Sequence, residues 1–113
     1  METQDYRNQP LTLAAMISYA EGSVVSRTLL DRKAGTLTLF AFAQGQGLSE
    51  HVAPYDATVQ VLDGEAEFTI GEQVHVIRTG QALIMPAGIP HAVRAKVPFK
   101  MLLTMIRDAG EGR

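Results

Sequence analysis

80-GQALIMPAGIPHAV-93 describes an apolar strand, a sharp reversal and a returning strand. Pro86 ends the first strand because it has no N–H to give to a ladder. Gly88 accepts the backbone angles of a tight reversal. Pro90 stiffens the approach, so His91 starts the return strand with its side-chain direction fixed. Such a device aims one imidazole at a chosen point.

A second stretch upstream, 47-GLSEHVAPYDATVQVLDG-64, carries another histidine, His51, in a short strand before the turn residues Pro54, Tyr55 and Asp56. Side chains alternate along a strand, so positions 51 and 53 share a face, as do 57, 59 and 61. By that count Gln60 points away from any pocket holding His51. A bulge near Pro54 would reverse the count and bring Gln60 or Asp56 inward, and the sequence leaves both arrangements open. ATVQVL (57–62) and EAEFTI (65–70) flank Asp63-Gly64, which predicts a tight hairpin at that dipeptide.

The rest of the chain continues the pattern. VVSRTLL (24–30), TLTLFAFA (36–43), VHVI (74–77), ALIMP (82–86), HAVRAKV (91–97) and FKMLLTMI (99–106) read as strands between Gly or Asp turns. FKMLLTMI also has the length of a buried helix, and strand is the preferred reading. Residues 1–10 are polar and expected to be loose. Residues 11–19 permit one or two helical turns or an alternating strand, and the tail from Arg107 is expected to fray. Eight or nine short strands at this spacing define an all-β barrel or double-sheet jelly roll, with a short N-terminal helical turn possible.

Composition narrows the function classes. With 113 residues the chain suits one domain, 1–113, with a single core. Net charge is −2 and no run of basic residues occurs, which argues against nucleic-acid binding. No cysteine is present, so disulfides, thiolate ligands and thiol nucleophiles are excluded. The apolar segment from Leu11 to Ile17 follows Glu2, Asp5 and Arg7 rather than a cationic start, and no apolar run approaches the roughly 18 residues of a membrane span. The expectation is a soluble cytoplasmic protein.

Across about residues 36–106 the chain resembles the cupin superfamily, whose members are double-stranded β-helix barrels that often hold a metal. Gly80, Pro86, Gly88 and His91 match the second cupin motif without a gap. Gly47 (or Gly45), His51 and Gly64 fall in register with the first. The departures are in the first motif: Ala53 stands where a second histidine is expected, and Ala57 where an acidic or amide ligand is expected. The resemblance therefore implies a metal set reduced to His51 and His91, with Asp56 as candidate third ligand, for one divalent transition ion such as zinc, nickel, iron or manganese.

The two alanines also open a different reading, in which small side chains leave room for a small-molecule ligand. Its pocket would be lined by His51, Ala53, Ala57, Gln60, Met85 and His91. Met101 and Met105 read as core filler, and Met85 lines the pocket by virtue of preceding Pro86. His75 reads as a strand histidine outside the site, and Glu65 and Glu67 as a solvated strand face. The leading expectation is a small-molecule-binding cupin, non-catalytic or weakly active. It would form a homodimer through the apolar TLTLFAFA and FKMLLTMI strands. The alternative is a metal-dependent dioxygenase, decarboxylase or isomerase of a small acid or sugar. Metal-free acid–base catalysis by His51 beside Asp56 ranks third.

Overall fold

The computed structural model describes residues 4–107, so the end of the tail expected to fray lies outside the described residues. Among the described residues, eight antiparallel strands follow one 3-10 turn at Leu13–Ala15. They are β1 (Val24–Arg32), β2 (Gly35–Phe42), β3 (Gly47–His51), β4 (Ala57–Ile70), β5 (Gln73–Arg78), β6 (Ala82–Met85), β7 (His91–Arg94) and β8 (Phe99–Ile106). One sheet runs β1-β2-β8-β4-β6, and the other is built from β5, β4, β7 and β3. FKMLLTMI is a strand, as preferred.

β4 belongs to both sheets and closes the jelly roll. Its first half pairs with β8 and β6, its second half with β5 and β7. The change of sheet falls at a bulge, where Val61 pairs with Met101 and Asp63 with Lys100, leaving Leu62 as the extra residue. The hairpin expected at Asp63-Gly64 is therefore absent: the strand runs through it. Gly64 has φ +79°, so the positive angle that favours a turn serves here to bend a continuous strand. The hairpin forms one step later, where Ile70 pairs with Gln73 across Gly71-Glu72.

The inner faces of the two sheets enclose the main core. Phe42, Phe68, Phe99, Val59, Val61 and Met101 are all buried there. Phe42 stacks on Phe99 with centroids 4.5 Å apart, and Phe68 meets Phe99 edge-on at 6.4 Å.

A second core lies on the outer face of the β1-β2-β8 sheet, which strand alternation alone would leave half exposed. Tyr6, Leu11, Leu13, Met16 and Ile17 pack there against Leu29, Leu39, Ala41 and Leu102. The N-terminal segment is thus neither loose from residue 6 onward nor a strand. It also takes up much of the β2 and β8 surface that the sequence offered to a second copy. Two polar contacts fasten it. Lys100 Nζ donates to the Ala14 carbonyl at 2.6 Å, and the Tyr19 hydroxyl donates to Asp63 Oδ2 at 2.5 Å.

Burial and the Asp63 carboxylate raise the Tyr19 pKa well above the ordinary 10.0. The folded state thus holds this proton more tightly than the unfolded chain. The stabilisation is complete below pH 10 and is lost as pH rises beyond it. Tyr19→Phe should cost about 1 kcal/mol at neutral pH. In an alkaline ultraviolet titration, the late ionisation of Tyr19 in wild type should be missing from the variant.

Candidate functional site

His51 ends β3 and His91 begins β7, and the two residues are direct cross-strand partners. This pairing puts both imidazoles at one end of the barrel, beside the β3–β4 loop, the β4–β5 turn and the β6–β7 loop. His91 is 6% exposed, whereas His51 is open to solvent. Their Nε2 atoms stand 3.1 Å apart, with ring centroids at 4.3 Å and planes inclined by 69°.

Each ring is held from behind in the same way. His51 Nδ1 lies 2.9 Å from the Ser49 carbonyl, and His91 Nδ1 lies 3.3 Å from the Ile89 carbonyl. In both cases the oxygen belongs to the residue two positions earlier. A carbonyl only accepts, so each Nδ1 carries the hydrogen and each Nε2 presents its lone pair.

Three contacts join these rings to each other and to the backbone, and each contact needs a hydrogen or a cation. Two neutral imidazoles bring only two N–H groups. The third contact, between the two Nε2 atoms, is left for a hydrogen or an external partner to bridge.

The loops that carry the rings are stapled together. The Gly88 N–H donates to the Ala53 carbonyl at 2.9 Å, and the Ala87 N–H donates to Asp56 Oδ1 at 2.8 Å. Gly88 adopts φ +79°, the reversal its position predicts. Across the end of the barrel, the Gly71 N–H donates to the Pro90 carbonyl at 2.8 Å. The His91 loop is therefore fixed from both sides. Asp56→Ala should loosen this loop, weakening any ligand held by the histidine pair by about 10-fold while lowering stability by about 1–2 kcal/mol. Calorimetry of ligand binding beside thermal melts separates the two effects.

The remaining sequence candidates divide. Asp56 Oδ1 accepts from the Ala87 N–H, so this carboxylate ties the β6–β7 loop to the β3–β4 loop. Among the described residues, no group of three or more His, Cys, Asp or Glu side chains is placed to share an ion. Gln60 stays on the exposed face, where simple alternation put it, opposite the buried Val59 and Val61. Ala57 and Met85 are cross-strand partners, both 4% exposed and packed in the main core. The space beside Ala57 is thus closed to solvent, with Met85 alongside. Ala53 is half-buried and contributes its carbonyl. His75, on β5, pairs with Phe68 of β4, apart from the histidine pair in the register. Glu65 and Glu67 form ion pairs with Arg78 and Lys96 at 3.4 and 3.0 Å, as befits a solvated face.

Sequence reasoning missed the Ser49 and Ile89 carbonyls that orient the rings. Every residue has a carbonyl, so no residue type could have signalled them. It also missed Val52 and Ile89 as exposed apolar neighbours of the two histidines, 57% and 39% accessible.

The donor set fits a divalent transition ion in part. Metal–imidazole bonds of about 2.0–2.1 Å put two adjacent ligand nitrogens about 3 Å apart. The Nε2 separation matches, and the Nδ1–H to carbonyl contacts are the usual outer support of metal-bound histidines. The pair would supply two ligands, and the other donors would be exogenous.

A two-sheet jelly roll with imidazoles aimed from adjacent strand ends defines a small β-barrel of binding or metalloenzyme type. The chain belongs to the cupin family: the family model described as Cupin domain matches residues 38–106. Solved structures agree. A conserved protein of unknown function from Streptococcus pyogenes is 36% identical, with TM-score 0.86, over 91% of this chain and 90% of that one. A cupin superfamily protein from Desulfitobacterium hafniense is 32% identical, with TM-score 0.86, over 94% and 97%. A cupin 2 conserved barrel domain protein from Leptotrichia buccalis is 37% identical, with TM-score 0.83, over 86% of this chain and 47% of that one. No curated protein matches the chain. Among the described residues, no helix is long and apolar enough to cross a membrane.

Proposed function

We propose that this cupin binds a small molecule at the His51–His91 centre and is non-catalytic or weakly active. One observation carries the reading: the two Nε2 atoms converge to 3.1 Å while both Nδ1 atoms are held by backbone carbonyls. Imidazoles locked in this way are preorganised for an external partner. The exposed His51 gives that partner access. The test is calorimetric screening of the protein against metabolite pools, followed by His51→Ala and His91→Ala. A ligand lost from both variants supports the reading, and a ligand retained by both contradicts it.

A metal-dependent enzyme is the second reading, favoured by the convergent Nε2 lone pairs. His51 and His91 would hold the ion, which would act as Lewis acid or oxygen activator. The chain's own contribution is to fix both rings and leave open the face toward the substrate.

The reading includes a homodimer. Ile84 and Ile106 are 67% and 62% exposed on the outer face of the larger sheet, flanking Thr58 and Thr104. Ile84→Asp should convert a dimer to a monomer in light scattering without changing the melting temperature by more than a few degrees. A wild-type mass equal to the monomer would contradict this part.

A further inference from the structure

We infer that a one-residue bulge at Ser49–Glu50 is the positioning device of His51. It turns the ring toward His91 and frees the Ser49 carbonyl to hold Nδ1–H, which keeps Nε2 an acceptor. This rests on the small-molecule reading above, in which that nitrogen meets the ligand.

The register places the bulge. Gly47 pairs with Arg94 and Leu48 with Val93, and the next pair is His51 with His91. β3 thus takes three steps where β7 takes two, and Ser49 and Glu50 together stand opposite Ala92. In a regular strand Leu48 and His51, three apart, would project from opposite faces. Here Leu48 packs against the main core, and the His51 ring meets the buried His91 ring. The extra residue has turned His51 inward.

The upstream end of β3 holds the mismatch in place. The Gly45 N–H donates to the Ala95 carbonyl at 2.7 Å, and the Ala95 N–H donates to the Gln46 carbonyl at 2.8 Å. A Cβ at Gly47 would lie 2.3 Å from the Val93 carbonyl oxygen, so neither Gln46 nor Leu48 can slide into that position. With this end locked, the extra residue has to sit beside His51.

The bulge also accounts for the ring's contact with the backbone. Along an extended strand each residue advances about 3.4 Å, and side chains stand roughly perpendicular to the sheet that carries the carbonyls. A ring reaches the carbonyl two residues back only where the backbone between them is compacted. His91 follows the reversal at Gly88 and lies 3.3 Å from the Ile89 carbonyl. His51 ends a strand instead, and the bulge supplies the compaction for its shorter contact of 2.9 Å.

The experiment uses uniformly labelled full-length protein at about pH 8.5, within the neutral range of free imidazole. Deleting either Glu50 or Ser49 leaves Leu48 and His51 two steps apart, matching Val93 and His91, so the ladder becomes regular with the histidines still opposite. Ser49→Ala and Glu50→Ala keep the chain length and therefore the bulge. Long-range proton–nitrogen spectra should show Nδ1–H at His51 in wild type and in both alanine variants. In each deletion variant that state should be lost to an Nε2–H or mixed tautomer, while circular dichroism shows the barrel retained. Nδ1–H kept in a folded deletion variant overturns the inference, as does its loss in either alanine variant. Failure of both deletions to fold also overturns it, because the bulge would then serve the barrel rather than the ring. These three outcomes leave the small-molecule reading standing. Nε2–H at His51 in wild type counts against both.

Discussion

Gly64→Ala should destabilise the fold severely. A Cβ built at Gly64 would lie 2.2 Å from the Pro98 carbonyl oxygen and 3.1 Å from Phe99 Cα. The first contact is with backbone, so no side-chain rotation relieves it. The residue also sits at φ +79°, where an L side chain adds about 1–2 kcal/mol of strain. Moving β8 away would disturb Phe99, which is fully buried between Phe42 and Phe68. The combined cost should exceed about 3 kcal/mol, a large part of the roughly 5–15 kcal/mol that holds a domain of this kind together. Urea denaturation followed by circular dichroism measures it. A loss below about 1 kcal/mol would mean that β4 does not pass continuously between the sheets at this glycine.

His91→Ala should abolish ligand or metal binding, weakening it about 100-fold or more, because one of two converging Nε2 atoms disappears. His51→Ala should do the same. The two variants differ in stability. His91 is almost fully buried and held by the Ile89 carbonyl, so its loss should cost about 1–2 kcal/mol. His51 is exposed, and its loss should change stability by no more than about 0.5 kcal/mol. Equal binding loss with unequal stability loss marks a functional pair. Calorimetry on both variants, with thermal melts, gives the comparison.

Much of this arrangement is legible in the sequence, and its failures are physical. The Gly80 to Val93 stretch fixes its own reversal through Pro86, Gly88 and Pro90, which act locally, so the position of His91 follows from residue types alone. Asp63-Gly64 misleads because a positive φ serves a bulge as well as a hairpin. The choice was made by β8, which lies far along the chain and pairs straight across this point. The TLTLFAFA strand reads as half-buried, yet Leu39 and Ala41 on its outer face are fully covered. Their cover is the N-terminal segment, brought over the sheet by tertiary packing that no window on β2 contains. Asp56 was open as a ligand because its strand parity was undecided. A hydrogen bond to Ala87, across the loop between β6 and β7, decided its role. Short-range chemistry was readable, and pairings across the fold were not.

The site is two rings whose Nδ1 atoms meet backbone carbonyls and whose Nε2 atoms face each other. Long-range proton–nitrogen correlation spectra of uniformly labelled protein report the state of all four nitrogens. They should show Nδ1–H at both His51 and His91, with both Nε2 signals shifting together when zinc is added and the His51 signals altered in His91→Ala. Two Nε2–H tautomers, or rings that respond independently of each other, would contradict the shared centre.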